Sequence, residues 1–278
     1  MSADLPNLFL EDITVRFGGL TAIDDATIRA GSGTITGLIG PNGAGKTTMF
    51  NACTGVVPLV SGRVALGSQR IEDLPTAKRA ALGLGRTFQR MELFDSMTVA
   101  ENVALGPEAF YSARRPWSQI VAPRSSRRHT LDQAEMAMEE CGITHLSGRL
   151  VAYLSTGQRR LVELARAIAT PFRFLLLDEP SSGLDVSETE RFGEILTRYV
   201  AETGVGVLLV EHDMALVGKI CSYIYVLDFG RLIFDGPTAE TLESEVVRAA
   251  YLGSDEVQAV AEAQAQQLEE SDAVAQGV

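Results

Sequence analysis

The run Gly40-Pro41-Asn42-Gly43-Ala44-Gly45-Lys46-Thr47-Thr48 has the residue types and the spacing to cradle a phosphate chain. It reads Gly-x-x-x-x-Gly-Lys-Thr, a phosphate-binding P-loop. Glycines let the backbone curl so that successive N–H groups point inward at an anion. Lys46 adds a point positive charge near the β and γ phosphates of a nucleotide, and the Thr47 hydroxyl suits Mg2+. A helix starting near Gly45 aims the positive end of its dipole at the same anion.

Two further stretches carry chemistry. Phe174-Leu175-Leu176-Leu177-Asp178 is a continuous apolar run of strand length, as expected in a parallel sheet covered on both faces. It ends in Asp178-Glu179, where the C-termini of parallel strands form a ligand crevice. One carboxylate there can hold Mg2+ through water while its neighbour orients or deprotonates an attacking water. Leu154-Ser155-Thr156-Gly157-Gln158 opens a helix, so Ser155 and the backbone at Thr156 and Gly157 make a second anion-binding helix N-terminus. Two phosphate-binding devices without two nucleotide domains imply a dimer, in which one subunit's second device closes on the other's nucleotide.

The elements that must position these residues alternate between strand and helix patterns. Leu8–Phe17 and Thr21–Arg29 read as strands, Thr34–Ile39 as a buried strand, and Thr47–Thr54 as a helix. Arg63–Leu66 is a short strand after a Gly- and Pro-punctuated loop. Pro75–Leu82 is helical, and Leu84–Phe88 is a strand ending at Gln89. Val99–Leu105 is a short helix begun at Thr98, with Glu101 at capping-box distance. Gly106–Arg127 resembles an inserted loop, and His129–Cys141 an amphipathic helix with Leu131, Ala134, Met138 and Cys141 on one face. Helices over Ser155–Ala169 and Ser187–Ala201 flank the apolar strand, and Val205–Val210 is another buried strand, ending at Glu211-His212. A hairpin turns at Gly230, and two short helices end near Leu252.

This order predicts an α/β fold: a P-loop core with a mainly parallel sheet, an antiparallel β subdomain and a helical subdomain. One domain spans about 1–252, with its core near 1–89 and 154–252 and its helical part near 90–153. Residues 253–278 form an acidic tail, expected to be a loose helix or disordered.

The bulk numbers fit a folded chain: 278 residues, 46% hydrophobic and 22% charged. The formal net charge is −12, so the chain as a whole is no binder of polyanions. The tail holds Asp255, Glu256, Glu262, Glu269, Glu270 and Asp272 with no Lys or Arg. Arg114, Arg115, Arg124, Arg127 and Arg128 make a local basic group, read as a solvated loop. Cys53, Cys141 and Cys221 lie in apolar surroundings without metal-ligand spacing, as reduced core residues of a cytosolic protein. The N-terminus lacks the plan of a signal peptide, and no apolar run reaches the roughly 20 residues of a spanning helix.

Taken together, these motifs resemble the ATP-binding subunits of ABC transporters over about residues 8 to 252. Gly40 to Thr47 matches Walker A, and Phe174 to Asp178 Walker B. The resemblance implies that Asn42, Gly43, Gly45, Lys46, Thr47 and Thr48 bind ATP. It also implies that Thr47, Gln89 and Asp178 hold Mg2+, and that Glu179 is the catalytic carboxylate. Gln89 matches the Q-loop glutamine that senses the membrane partner, and His212 the switch histidine on the γ-phosphate. Ser155, Gly157 and Gln158 match the signature, with Thr156 where the commonest form has a second glycine. Asp185 closes the D-loop Ser182-Gly183-Leu184-Asp185, and Phe17 takes the place of the aromatic that stacks on adenine.

Arg86 to Phe94, Met97 to Val103 and Ala250-Tyr251-Leu252-Gly253 look like the branched-chain amino-acid importer subfamily. That implies a second ATP-binding subunit, two membrane-spanning permease subunits and, indirectly, an extracytoplasmic solute-binding protein, without nucleic acid. It places the chain on the cytoplasmic face of the inner membrane. A soluble ABC-type ATPase is the competing reading. Such proteins usually carry a long coiled-coil insertion or two fused cassettes, which this sequence lacks.

Overall fold

The computed structural model describes residues 5–87, 92–114 and 124–251, without the side chains of 114 and 124–127. The fold is built on two sheets. β3 (Ile35–Ile39), β6 (Leu84–Arg86), β7 (Phe174–Asp178), β8 (Gly206–Val210), β9 (Tyr223–Asp228) and β10 (Arg231–Pro237) form one, ordered β10-β9-β3-β8-β7-β6. All of its pairings are parallel except β9–β10. The other sheet is antiparallel, with β1 (Leu8–Phe17), β2 (Leu20–Ala30), β4 (Ser61–Leu66) and β5 (Gln69–Arg70) in the order β2-β1-β4-β5.

Side-chain alternation explains why Phe174–Leu177 is apolar without a break. Leu175 and Leu177 point to one face of the parallel sheet, into a core shared with the helices of the 99–205 region. Phe174 and Leu176 point to the other face, into a core shared with the antiparallel sheet and with α1 (Lys46–Thr54). Both faces are covered, so every residue of β3, β7 and β8 is buried.

The remaining helices are α2 (Thr76–Ala81), α3 (Val99–Arg114), α4 (Arg124–Glu140), α5 (Thr156–Ala169), α6 (Val186–Thr203), α7 (Met214–Ile220) and α8 (Thr238–Glu243). Arg79 of α2 is buried and ties α2 to α1. It donates to Ala52 O at 2.9 Å and Cys53 O at 2.7 Å, carbonyls of the last turn of α1. It also donates to Leu74 O at 2.8 Å and Glu72 O at 2.7 Å. The three cysteines are buried and free, and burial pushes each thiol up to about 12.

Two expectations are corrected. Gly106–Arg127 is not a loop throughout: α3 runs on to Arg114 with Pro107 inside it, and α4 begins at Arg124. Residues 115–123, and with them Arg115, lie outside the described residues, whereas Arg114 ends α3 and Arg124, Arg127 and Arg128 lie on α4. Gly106 looked like a chain breaker because Gly-Pro usually is one. Its actual reason is steric. A Cβ there would lie 2.3 Å from Thr170 Oγ1 and 2.6 Å from Arg166 O, so only glycine lets α3 cross α5 this closely.

Leu131 does not join the buried face of α4. It is 48% exposed, whereas Thr130, Ala134, Ala137, Met138 and Cys141 are buried. The buried stripe centres on those residues, and Leu131 sits roughly a quarter-turn off it at 100° per residue. The Gln89 end of the expected Leu84–Phe88 strand, the chain end at Leu252 and the acidic tail also lie outside the described residues.

Gly106→Ala should therefore destabilise the fold by about 1–3 kcal/mol, as overpacking does, despite the better helix propensity of alanine. Gly148→Ala, where a Cβ meets nothing within 4 Å, is the neutral control in urea unfolding.

Candidate functional site

The C-terminal ends of β3, β7 and β8 open onto one edge of the sheet, where the sequence motifs meet. Leu38 and Asp178 both pair with Val210, so the three loops leave the sheet at the same level. After β3 the chain turns through Gly40–Gly45 into α1. Gly45 caps that helix at φ 108°, a conformation open to glycine, with Ala22 and Ile23 of β2 packed where a side chain would stand. No side chain caps α1 and no acid lies in its first turn, so its first N–H groups are left for an anion.

Lys46 folds back over this loop. Its Nζ donates to Gly40 O at 2.6 Å and Pro41 O at 2.9 Å. Burial lowers the pKa of its ammonium from the ordinary lysine value, and the nearby Glu179 and Asp178 oppose that shift. Asn42, Gly43 and Thr47 are exposed beside it, and Thr48 is half-buried.

Asp178 ends β7 with its side chain 1% exposed. Its Oδ2 accepts from Arg86 Nη2 at 3.0 Å, while its buried Oδ1 has no hydrogen-bond partner among the described residues. Burial raises the carboxyl pKa, and the Arg86 hydrogen bond pulls the other way. A buried acceptor left open next to the P-loop fits a site completed by a hydrated cation. Among the described residues no three His, Cys, Asp or Glu side chains could hold a metal by themselves. A cation would take its other ligands from Thr47, from phosphate and from water.

Glu179 follows at φ 47°, a left-handed conformation rare outside glycine, and its N–H donates to Val210 O at 2.9 Å. Its Oε2 lies 4.0 Å from Nδ1 of His212, whose side chain is 57% exposed. Between the two strands sits Glu211, fully buried. Its Oε1 accepts from the Ser181 N–H at 2.8 Å and its Oε2 from the His212 N–H at 3.3 Å. Burial raises its carboxyl pKa, opposed first by the Ser181 hydrogen bond. Glu211 thus pins the loop after Glu179 and the loop of His212 to one point.

The second device is continuous with the first through residues 179–188. Ser155 caps α5, where its Oγ accepts from the Gln158 N–H at 3.2 Å and Gln158 Oε1 accepts from the Ser155 N–H at 3.1 Å. Asp185 caps α6 in the same way, its Oδ1 accepting from the Glu188 N–H at 2.8 Å. The two caps touch. A Cβ on Gly157 would lie 1.9 Å from Glu188 Oε1, and Arg160 of α5 donates to Ser182 O at 3.4 Å.

The structure brings together the P-loop residues, Asp178, Glu179 and His212, and separately Ser155, Gly157, Gln158 and Asp185. Phe17 stands 49% exposed at the β1–β2 turn, on the hairpin whose second strand passes Gly45. Gln89 lies outside the described residues. Sequence reading gave no role to Arg86 or Glu211. Their signal was a charge within the Leu84–Phe88 strand pattern and another just after Val205–Val210, each of which reads equally well as a solvated residue. Beside the site, a groove of about 600 Å³ is lined by Ala80, Ala81, Arg86, Phe94, Phe110 and Phe172, among others.

The profile of the ABC transporter family matches residues 23–182, from β2 through the P-loop and Asp178 to Ser182. The chain belongs to the ABC transporter family. As an ABC transporter ATP-binding subunit it binds and hydrolyses ATP. It is 36% identical over 250 residues to the high-affinity branched-chain amino acid transport ATP-binding protein BraF of Pseudomonas aeruginosa, covering 89% of this chain and 98% of that one. It is 32% identical over 251 residues to the lipopolysaccharide export system ATP-binding protein LptB of Escherichia coli K12, covering 90% and 99%. Among solved structures it resembles the ADP conformation of MJ1267, an ATP-binding cassette of an ABC transporter, at a TM-score of 0.78 and 28% identity. That match covers 89% of this chain and 99% of the other. No helix of the described residues is long and apolar enough to cross a membrane.

Glu211→Ala leaves two backbone N–H groups without their acceptor. It should cost about 1–3 kcal/mol in urea unfolding and slow ATP hydrolysis, because the loops of Glu179 and His212 lose their shared anchor. Glu211→Gln, which keeps an acceptor, should cost less.

Proposed function

We propose that the chain powers an importer of branched-chain amino acids or a related small solute. The observation that carries this is the 36% identity to BraF across 98% of that protein's length. The Arg86–Phe94 run adds to it. The similarity to LptB, at 32%, marks how much of the fold serves other cargo.

In this reading two nucleotide subunits, identical or paralogous, bind ATP at the P-loop. Residues 1–252 act as one cassette, with a core near 1–89 and 154–252 and a helical part near 90–153. Asn42, Gly43, Gly45, Lys46, Thr47 and Thr48 hold the phosphates. Lys46 exchanges its two carbonyl partners for phosphate oxygens, a gain because the ammonium is then neutralised in a buried place. Phe17 stacks on adenine. Thr47, Asp178 and Gln89 would hold Mg2+, which when bound neutralises charge on the phosphates.

Ser155, Gly157 and Gln158 of one subunit meet the γ-phosphate on the other, with Asp185 in the loop beside them. Glu179 takes a proton from the attacking water as it approaches in line, and His212 donates a hydrogen bond to the γ-phosphate. The left-handed turn at Glu179 and the 4.0 Å approach of His212 support this pairing. Loss of phosphate removes the anion bridging the subunits and the dimer opens. The groove beside the Gln89 segment receives a helix from one of two permease subunits, at the cytoplasmic face of the inner membrane. An extracytoplasmic solute-binding protein delivers the cargo, and no nucleic acid takes part.

Glu179→Gln should bind ATP normally, accumulate as an ATP-bound dimer in size-exclusion chromatography and lose steady-state hydrolysis. Normal turnover by this variant would refute Glu179 as the base. In solubilised membranes the chain should co-purify with two apolar multi-span proteins; soluble behaviour with nucleic-acid-stimulated hydrolysis would refute the importer.

A further inference from the structure

Arg86 belongs to two places at once. Its side chain is 8% exposed, and it lines the groove. Its other contacts reach into the nucleotide site. Nη2 holds Asp178 Oδ2 at 3.0 Å, and Nη1 donates to Asn51 Oδ1 at 2.6 Å and Thr54 Oγ1 at 3.4 Å, both on the P-loop helix. The guanidinium carbon lies 5.6 Å from the centre of the Phe50 ring. The neighbouring Thr87 lines the same groove, and its Oγ1 accepts from the Asp178 N–H at 3.4 Å.

A guanidinium is planar, so fixing one nitrogen on Asn51 fixes the direction of the other. Asp178 is thereby held with Oδ2 engaged and Oδ1 presented, buried and without a partner. A side chain entering the groove meets Arg86 in its wall, and the guanidinium cannot shift without turning the carboxylate. Arg79, buried on α2 and also bonded to α1, reaches only backbone carbonyls and offers no such path.

We propose that Arg86 is a positioning residue that presents Asp178 Oδ1 to the hydrated cation of the nucleotide site and relays occupation of the groove to that carboxylate. The proposal rests on the ATP reading of the site.

Binding of a fluorescent ATP analogue to the full chain, in EDTA and across a Mg2+ titration, tests it. Arg86→Gln should bind the analogue in EDTA as the unaltered chain does. It should require about tenfold more Mg2+ to reach the metal-dependent gain, the scale on which partners of metal ligands act. Arg86→Lys, which keeps the charge and loses the fork, should share the defect. Rescue by Lys, an unchanged Mg2+ midpoint, or equal loss of binding in EDTA would each overturn the positioning role.

A second arm leaves the Arg86–Asp178 pair untouched and so does not depend on the folding of Arg86 variants. Ala109 lines the groove and is exposed, and the native cysteines are buried. Ala109→Cys can therefore be labelled selectively with a bulky maleimide. The adduct should shift the Mg2+ midpoint when Arg86 is present and add nothing in the Arg86→Gln background. No shift with Arg86 present, or equal shifts in both backgrounds, would overturn the relay. If the unaltered chain binds no ATP analogue, the nucleotide reading fails instead.

Discussion

Parallel pairing of β3, β8 and β7 is the constraint on which the site depends. Because Val210 stands opposite both Leu38 and Asp178, the P-loop, the Asp178-Glu179 pair and the Glu211-His212 pair leave the sheet level with one another. Parallel strands demand helical crossovers and burial on both faces. That demand accounts for the apolar runs, for the two cores and for the placing of α1 as a helix whose N-terminus is open to an anion. The chemistry is confined to the one edge where the strands stop.

Charge buried at that edge sets the second condition. Lys46, Asp178, Glu211, Arg160 and Glu163 are each under a tenth exposed. A charge removed from water is tolerable only when hydrogen-bonded or paired, and breaking such a pair costs about 3–5 kcal/mol. Here the partners are mostly loop backbone: Gly40 and Pro41 for Lys46, Ser181 and His212 for Glu211, Ser182 for Arg160. The same bonds that offset desolvation also fix the loops around the site. Asp178 Oδ1 is the exception, and an open acceptor there costs stability unless a ligand completes it.

Much of this was legible in the sequence because it rests on local pattern. The P-loop, the apolar strand ending in Asp178 and the helix opened at Ser155 are each set by spacing within a few residues, and each was found where expected. The contacts that were missed join residues far apart in the chain. Arg86 meets Asp178 across 92 positions, and Glu211 meets Ser181 across 30. No periodicity encodes such pairs. Gly106 was misread for the same reason: its neighbours Thr170 and Arg166 come from another helix, so a residue selected for close packing looked like a break. Leu131 failed because the face of α4 is chosen by what packs on it.

The central claim is that each chain supplies two half-sites and that one subunit's signature completes the other's P-loop. Mixing two inactive variants tests it most directly. Lys46→Ala removes the P-loop charge, and Ser155→Arg blocks the signature. In a mixed dimer one site carries both defects and the other carries neither. The account predicts no ATP hydrolysis from either variant alone and recovered hydrolysis on mixing them. A mixture of two folded variants that stays inactive at every ratio would contradict it.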